Sequence, residues 1–366
     1  MSMRSNRRVT LPCGIAMACA LAASASSVRA QAQPAAGSPP PDDTPSVKVG
    51  GTIYTDYTFL MDPKVTVEGL EIRPNSFNVS RSYINVTGNL SHRFAFRITP
   101  DIARESGAGS SLNGSYTFRL KYALGQLNLD EWVTKGSWVR LGLQQTPYID
   151  YIEGIYRYRF QGTTFEDREG KITASDNGVS AHVNLEGDYG DVHVGVYNGE
   201  GYAKPEANDQ KAFQGRVSVR PAPQGPLHGL RLTAFADVDH YASGDSKMRW
   251  IGNATFENPH VNAGFDLLGA TDQTAVTAAE VKSQGFSVWA TPRTSCGWEA
   301  LLRYDELKPD KDQDGKKKTS IGGVAYWFPL QKGVAGAVMV DYQQVEYSDI
   351  AVAKAKQIAL HALLNF

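Results

Sequence analysis

The feature of this sequence that most restricts its fold is a repeated alternation of apolar and polar residues in segments bounded by turn-forming residues. In DVHVGVYN, Val192, Val194 and Val196 fall on one side of an extended chain, and the residues between them fall on the other. Alternation with period two predicts β-strands, and the sequence has no long pattern typical of an amphipathic helix. About sixteen such segments follow one another, with approximate bounds 47–60, 77–89, 92–101, 115–130, 136–147, 177–186, 190–199, 211–221, 228–241, 248–257, 260–270, 283–292, 297–307, 318–328, 333–347 and 353–366.

The connections between these segments alternate in length. Connections after even-numbered segments are mostly short, such as NLSH and ENPH, whereas those after odd-numbered segments are mostly longer and polar, as at 61–76, 102–114 and 148–176. Two exceptions are the long turn PAPQGPLHG and a short connection near 242–247. Short turns at one end and long loops at the other are typical of an outer-membrane β-barrel, with its periplasmic turns and extracellular loops.

The last strand is apolar on one face up to its final residue. In QIALHALLNF this face carries five residues, Ile358, Leu360, Ala362, Leu364 and Phe366. Chain ends of soluble domains are usually poorly ordered, so an apolar stripe that reaches the terminus indicates apolar surroundings. Aromatic residues also lie near predicted strand ends, namely Tyr122, Tyr304, Tyr326, Phe328 and Tyr342.

A β-sandwich is the alternative fold, because its strands alternate apolar and polar residues in the same way. The even number of long segments, the aromatic strand ends and the apolar C-terminal strand favour a barrel, whose closure pairs every backbone group as lipid requires. We therefore predict an all-β, transmembrane antiparallel β-barrel of about sixteen strands over residues 47–366.

The N-terminal region is predicted to direct export. Residues 1–30 combine a basic start, a short apolar run and small residues before a cleavage position after Ala30, which predicts a signal peptide. The apolar run is too short for a membrane anchor, and Cys19 lacks the leucine usual three positions before a lipoprotein cysteine. Residues 31–46 form a proline-rich polar linker, and after cleavage Cys296 has no partner for a disulfide.

The predicted barrel indicates a channel rather than an enzyme. Sixteen strands enclose a lumen wide enough to hold water, through which small hydrophilic solutes or ions can diffuse without a cofactor. The seven histidines show no metal-ligand spacing, and no serine lies in a nucleophile-elbow pattern. DKDQDGKKK begins like a calcium loop, but Ile321 stands where the bidentate glutamate is needed. A net charge of −1 gives no support for a nucleic-acid partner.

The longest predicted connection, at 148–176, is the candidate constriction. It is rich in tyrosine and in charges of both signs, which predicts a loop that folds back into the lumen. Tyr148, Ile152, Ile155 and Tyr156 are then expected to pack against the wall. The charged residues expected to face the channel are Asp150, Glu153, Arg157, Arg159 and Arg168. An extracellular lid or a subunit-contact loop is the alternative.

A second group of candidate pore residues lies on the inward face of the second to fifth predicted strands. The alternation places six charged residues there, namely Arg81, Arg97, Asp101, Arg119, Lys121 and Arg140. The excess of basic residues predicts a stripe that favours anions. A transverse field of both signs, or charge pairing that stiffens the wall, is equally compatible with the pattern.

Two stretches resemble one porin family. SRSYINVTGNLSHRFAFRITPD and VRLGLQQTPY are similar to segments of the phosphate-selective porin O/P family, and the terminal Phe366 resembles Gram-negative porins in general. The resemblance implies a homotrimer in outer-membrane lipid, a phosphate-like solute, and a C-terminal signal for the barrel-insertion machinery at Leu360, Leu364 and Phe366. The alternative is a barrel without transport function, an anchor, adhesin or structural protein plugged by its own loop.

Overall fold

A computed structural model describes residues 43–107 and 109–366 of the chain. Sixteen antiparallel strands form one closed barrel, in which the last strand pairs with the first. This closure confirms the predicted barrel and is incompatible with a sandwich, whose sheets have open edges. The barrel strands, numbered β1 to β16 along the chain, are Ser46–Asp62, Asn75–Asn89, Phe94–Arg104, Tyr116–Asn128, Trp138–Gln145, Ser175–Leu185, Gly190–Tyr197, Ala212–Val219, Leu230–Asp239, Lys247–Glu257, Val261–Asp272, Val281–Pro292, Trp298–Lys308, Lys316–Trp327, Ala335–Ser348 and Ala355–Asn365.

Each of the predicted segments corresponds to one observed strand. The largest differences at a strand end are about three residues, as at β3, which is predicted to end at position 101 and ends at Arg104. The predicted signal peptide at 1–30 and most of the linker predicted at 31–46 lie outside the described residues. The barrel itself begins at Ser46, one residue before the predicted start.

Several elements lie in the connections between the barrel strands. A two-stranded hairpin, Val65–Val67 paired with Leu70–Ile72, occupies the loop after β1. The loop after β5 contains helix α1, Ile149–Tyr156, and helix α2, Phe165–Arg168. A 3₁₀ turn at Glu186–Asp188 follows β6. The hairpin is absent from the predicted segments because three-residue strands show too little alternation to be recognised.

The two ends of the barrel differ as the connection lengths predict. Short turns such as 90–93, 186–189 and 258–260 join the strands at one end, the short-turn end. Longer connections such as 105–115 and 146–174 join them at the other, the long-loop end. The turn at 220–229 is the expected exception. In the described part of the chain, no helix combines the length and apolar character needed to span a bilayer.

The two faces of the barrel wall differ in polarity. Large apolar side chains cover the outside, for example Phe118 and Leu141, which are 67% and 68% exposed. Charged side chains such as Arg97, Asp101 and Lys121 point inward and are almost completely buried. This distribution is the reverse of a soluble domain, and it places apolar atoms where a lipid solvent would contact them.

Aromatic residues near the strand ends are outward in some places only. Trp298, Tyr326 and Phe328 form an outer cluster at the short-turn end. The ring centroid of Tyr326 lies 5.1 Å from that of Trp298 and 5.2 Å from that of Phe328. The expected position near a strand end is wrong for Tyr122, which lies in the middle of β4. Its side chain is fully buried inside the barrel and donates a hydrogen bond to Asp150 at 3.0 Å. A β-bulge in β4 turns two successive side chains inward at this point.

The seam between β1 and β16 closes the barrel at the last residue of the chain. The amide nitrogen of Gly51 donates to the carbonyl oxygen of Phe366 at 2.8 Å, and Phe366 donates back at 2.9 Å. The ring of Phe366 lies over Gly51, so that a Cβ atom there would come within 2.6 Å of the ring. The hydroxyl of Thr52 also donates to Asn365 across the seam at 2.9 Å.

We predict that Gly51→Ala destabilises the barrel, because the added methyl group must displace the Phe366 ring. Overpacking of this kind costs about 1–3 kcal/mol in the free energy of unfolding. The measurement is the midpoint temperature of barrel unfolding in detergent. Gel electrophoresis monitors it, because the folded barrel and the heat-unfolded chain differ in mobility. Gly322→Ala is the matched control, since a Cβ atom at this strand position meets no atom within 4 Å. Equal midpoints for the two variants would contradict the role assigned to Phe366.

Candidate functional site

The loop at 146–174 lies inside the barrel and contacts its inner wall on several sides. The hydroxyl of Tyr148 donates to Asp266 of β11 at 2.7 Å, and the amide of Gln161 donates to Asp341 of β15 at 2.6 Å. Tyr122 of β4 donates to Asp150 from the other side of the lumen. The loop therefore crosses the interior of the barrel.

Aromatic and aliphatic side chains hold the loop against the wall. Tyr148, Ile152, Ile155 and Tyr156, expected to pack there, are each at most 5% exposed. Ring contacts extend this packing along the wall. The ring centroids are 5.2 Å apart in Tyr156–Trp289, 5.7 Å in Phe160–Trp327 and 6.1 Å in Tyr158–Trp327. Burial of this much apolar surface explains why the loop does not extend into solvent.

Local sequence explains the shape of the loop. Asp150 lies in the first turn of α1, where a carboxylate interacts favourably with the helix dipole. Arg157 ends the helix in the left-handed region, with φ 66°, and its amide donates to the carbonyl of Glu153 at 2.9 Å. The chain then turns back along the wall towards α2.

Ion pairs join the loop to the strands and to itself. Arg157 contacts Glu299 of β13 at 3.2 Å, and both side chains are 7% exposed. Arg159 contacts Glu153 of α1 at 2.7 Å. Three further pairs tie the end of the loop to the wall: Arg168–Asp305 at 3.9 Å, Lys317–Glu169 at 2.9 Å and Lys171–Asp272 at 3.1 Å. The loop charges thus face specific partners rather than only open lumen.

Burial raises the pKa of two glutamates of the loop. Burial raises the pKa of Glu153, and the neighbouring Arg159 opposes that rise. Burial also raises the pKa of Glu166 well above its ordinary value, and the nearby Asp266 adds to this effect. Hydrogen bonds from its own backbone and from the Thr164 side chain, together with the charge of Arg303, oppose this rise in the pKa of Glu166.

The inner faces of β2, β3 and β4 carry two arginines that share one aspartate near the long-loop end. Arg81 and Arg119 both bind the same carboxylate oxygen of Asp101, at 2.8 Å. Asp101 is fully buried, whereas the side chains of Arg81 and Arg119 are 24% and 35% exposed. Tyr202, from the loop after β7, lies over Arg119 with its ring centroid 4.8 Å away. This cluster has a net charge of +1 and is open to water.

The remaining basic residues of this wall are buried against aromatic rings. Arg97 lies over Tyr122 at 4.2 Å, and Arg140 lies over Trp138 at 3.7 Å. Lys121 is 4.8 Å from the ring centroid of Tyr83 and 3.3 Å from its hydroxyl oxygen. The guanidinium of Arg140 donates to two amides, Gln126 at 2.8 Å and Gln145 at 3.1 Å.

The opposite part of the wall carries most of the inward carboxylates. Residues of this group on β9 to β15 are all buried or half-buried, namely Asp237, Asp239, Asp266, Asp272, Glu299, Asp305 and Asp341. Several of them bind the basic residues of the loop or of their own strands, as Arg303 binds Asp305 at 2.7 Å. The interior thus has a basic side and an acidic side, with the loop attached mainly to the acidic side.

The acidic wall and Tyr202 are absent from the candidate residues of the sequence analysis. The alternation in AFADVDH places Asp237 and Asp239 on the same face, so this part of the acidic wall has a visible signal. Tyr202 lies in a connection without periodicity and has none. Within the ranges 43–107 and 109–366, no cluster of three histidine, cysteine or acidic residues is suited to a metal ion.

We predict that Arg157→Met destabilises the folded barrel more than a substitution that breaks an exposed ion pair does. Removing one member of a buried ion pair costs about 3–5 kcal/mol. We expect the lower end of this range, because Glu299 keeps the hydrogen bond from Tyr158 at 3.1 Å and the contact with Arg293 at 4.0 Å. The measurement is the free energy of unfolding in detergent. Lys64→Met, which breaks the exposed pair with Glu71, is the control and should cost about 1 kcal/mol or less. Similar losses in both variants would show that Arg157 does not anchor the loop.

Comparison with known proteins identifies the fold. No protein-family model and no curated protein matches the chain. An anion-selective porin from Comamonas acidovorans matches with a TM-score of 0.61 and 12% identity, over 88% of this chain and 100% of that chain. OmpT of Vibrio cholerae matches at 0.59 and 14%, over 90% and 100%. The outer membrane channel DcaP of Acinetobacter baumannii matches at 0.56 and 13%, over 88% and 97%. The chain therefore shares the barrel fold of outer-membrane proteins.

Proposed function

We propose that the chain is an outer-membrane porin, a passive diffusion channel for small hydrophilic solutes. The observation that carries this proposal is the polarity of the closed barrel, which has apolar side chains outside and a charged, partly hydrated interior. The exposed guanidinium groups of Arg81 and Arg119 support a water-filled path beside the inward loop. Diffusion along such a path needs only width and charge, and no reaction step.

The porin proposal extends to the location and assembly of the chain. Its barrel then lies in the outer membrane of a Gram-negative bacterium, with the short-turn end in the periplasm and the long-loop end outside. Export by residues 1–30 and recognition of Leu360, Leu364 and Phe366 by the barrel-insertion machinery belong to the same proposal. A homotrimer is supported by OmpT of Vibrio cholerae, which has been solved in a trimer form.

We predict that the purified mature chain produces stepwise conductance in a planar lipid bilayer. Deletion of 150–170 should increase the unit conductance, because this segment occupies part of the lumen. Protein purified identically from a strain that lacks the gene is the control. Absence of conductance from the intact chain would favour a plugged anchor, adhesin or structural barrel. An unchanged unit conductance after the deletion would place the constriction elsewhere.

We further propose a preference for anions, with phosphate-like ions as the solutes to test. The cluster of Arg81, Arg119 and Asp101 has an excess positive charge where the interior is hydrated. The other inward basic residues, Arg97, Lys121 and Arg140, raise the potential of the same wall, although the acidic wall opposite counteracts them. The preference therefore depends on which wall the solute follows.

We predict that the double variant Arg81→Gln and Arg119→Gln lowers the anion-to-cation permeability ratio by about twofold or more, because Asp101 then contributes an uncompensated negative charge. The measurement is the reversal potential under a salt gradient, with chloride and then phosphate as the anion. Arg104→Gln is the control, since Arg104 is an exposed cation that stacks on the outward Tyr116. A cation-selective intact channel would overturn the proposed preference.

A further inference from the structure

One edge of the Arg81 guanidinium is open to the interior of the barrel. Its Nη1 atom donates to Oδ2 of Asp101 at 2.8 Å. In residues 43–107 and 109–366, no acceptor lies within hydrogen-bond distance of its Nε and Nη2 atoms. The side chain is 24% exposed, so water reaches these donors. The N–H groups of this edge form a planar fork that matches the two oxygens of a carboxylate.

Asp101 holds this fork in a fixed position beside Arg119. The Nε and Nη2 atoms of Arg119 bind the same Oδ2 atom, at 3.0 and 2.8 Å. Asp101 is fully buried in the wall and compensates only one of the two positive charges. Because both guanidinium groups contact one oxygen atom, they lie side by side. A solute bound to the open edge of Arg81 therefore lies next to Arg119.

An aromatic ring lies over Arg119 at the same place. The ring centroid of Tyr202 is 4.8 Å from the Arg119 Cζ atom. Tyr202 is half-buried and the Arg119 side chain is 35% exposed, so neither partner is completely covered by the protein. Aromatic rings are attracted to guanidinium groups and pack on other rings. The pair of Arg119 and Tyr202 therefore offers a planar surface beside the fork.

The backbone around Tyr202 determines where its ring lies. The amide of Gly199 donates to Oδ2 of Asp176 on β6 at 2.7 Å. Gly201 has a φ of +79° and packs so closely on Thr173 of the inward loop that a Cβ atom would come within 2.9 Å of that side chain. These contacts attach the connection at 198–211 to the wall and to the inward loop. Tyr202 is thus positioned by more than its contact with Arg119.

This combination of groups favours one class of anion. Chloride interacts only with the positive charge, and inorganic phosphate uses the charge and the fork. Neither ion has a flat apolar surface to place against Tyr202. A carboxylate carried on an aromatic ring uses the charge, the fork and the planar surface together. The site is therefore better matched to such a solute than to an inorganic anion.

We propose that Arg81, Arg119 and Tyr202 form a binding site for small aromatic carboxylates in the permeation path. The inference rests on the anion preference proposed above and names the class of solute. The carboxylate accepts hydrogen bonds from Nε and Nη2 of Arg81, and the ring of the solute lies against Arg119 and Tyr202. Asp101 positions both guanidinium groups and does not touch the solute.

Block of the chloride current by two ring acids tests the site. Benzoate and cyclohexanecarboxylate have the same charge and nearly the same size, but only benzoate is flat and aromatic. Each is added to the intact channel in a planar bilayer in potassium chloride. Benzoate should halve the current at a concentration about two- to fivefold lower, as expected for one exposed cation–π contact. Equal half-blocking concentrations, or no block by benzoate, would overturn the proposal.

Two variants separate the ring from the fork. Tyr202→Leu should abolish the difference between the two acids and leave the block by cyclohexanecarboxylate unchanged. Arg81→Lys keeps the charge but loses the fork, so it should weaken the block by both acids several-fold without a change in the reversal potential under a potassium chloride gradient. A Tyr202→Leu channel that still prefers benzoate, or an Arg81→Lys channel with unchanged block, would contradict the assigned roles.

Tyr116→Leu is the matched control for Tyr202→Leu. It removes a tyrosine ring that lies 4.4 Å from the guanidinium of Arg104 on the outer face, and it should change neither half-blocking concentration. The same recordings separate the inference from the proposals on which it rests. Stepwise anion conductance with equal block by both acids would overturn the aromatic site alone. Absence of conductance, or selectivity for cations, would overturn the porin or the anion preference, and this inference with it.

Discussion

The structure depends on the hydrogen bonds that close the backbone into a ring without a free edge. Inside a lipid layer an unpaired amide or carbonyl has no water to bind, so every strand needs two neighbours. The chain meets this requirement with its last residue, because Phe366 pairs with Gly51 and completes the seam between β16 and β1. The apolar stripe at the C-terminus and the glycine that admits its ring are two parts of the same closure.

The strands could be predicted from the sequence because the barrel wall separates an apolar outer face from a polar inner face. Each strand reports this separation as an alternation of period two, and the alternation ends where the chain leaves the wall. What the alternation does not report is the register between strands. In β4 the pairing shifts opposite Thr99 and Pro100, so Lys121 and Tyr122 both point inward. Strict alternation along β4 does not predict two successive inward side chains.

The candidate site was harder to predict, because the direction of a side chain does not determine its partner. The alternation places Arg81, Arg119 and Asp101 on the inner face, and the structure adds that both guanidinium groups share one carboxylate oxygen. Arg157 belongs to the expected constriction, yet its guanidinium contacts the wall at Glu299. Such pairings arise between strands and loops that are far apart in the chain, and composition carries no signal for them.

Individual ion pairs with the wall explain how the charged residues of the loop can be buried. Arg157 contacts Glu299 of β13, Lys171 contacts Asp272 of β11, and Glu169 contacts Lys317 of β14. Each buried charge of these pairs is compensated by a residue of the wall. Aromatic residues such as Tyr156 and Trp289 then exclude water from these pairs and strengthen them. On the basic wall, Tyr202 stacks on Arg119 but leaves that side chain 35% exposed, so part of its charge faces the remaining space. Closure of the barrel therefore creates the interior, residues of the wall anchor the loop within it, and Arg81 and Arg119 face the space that the loop leaves.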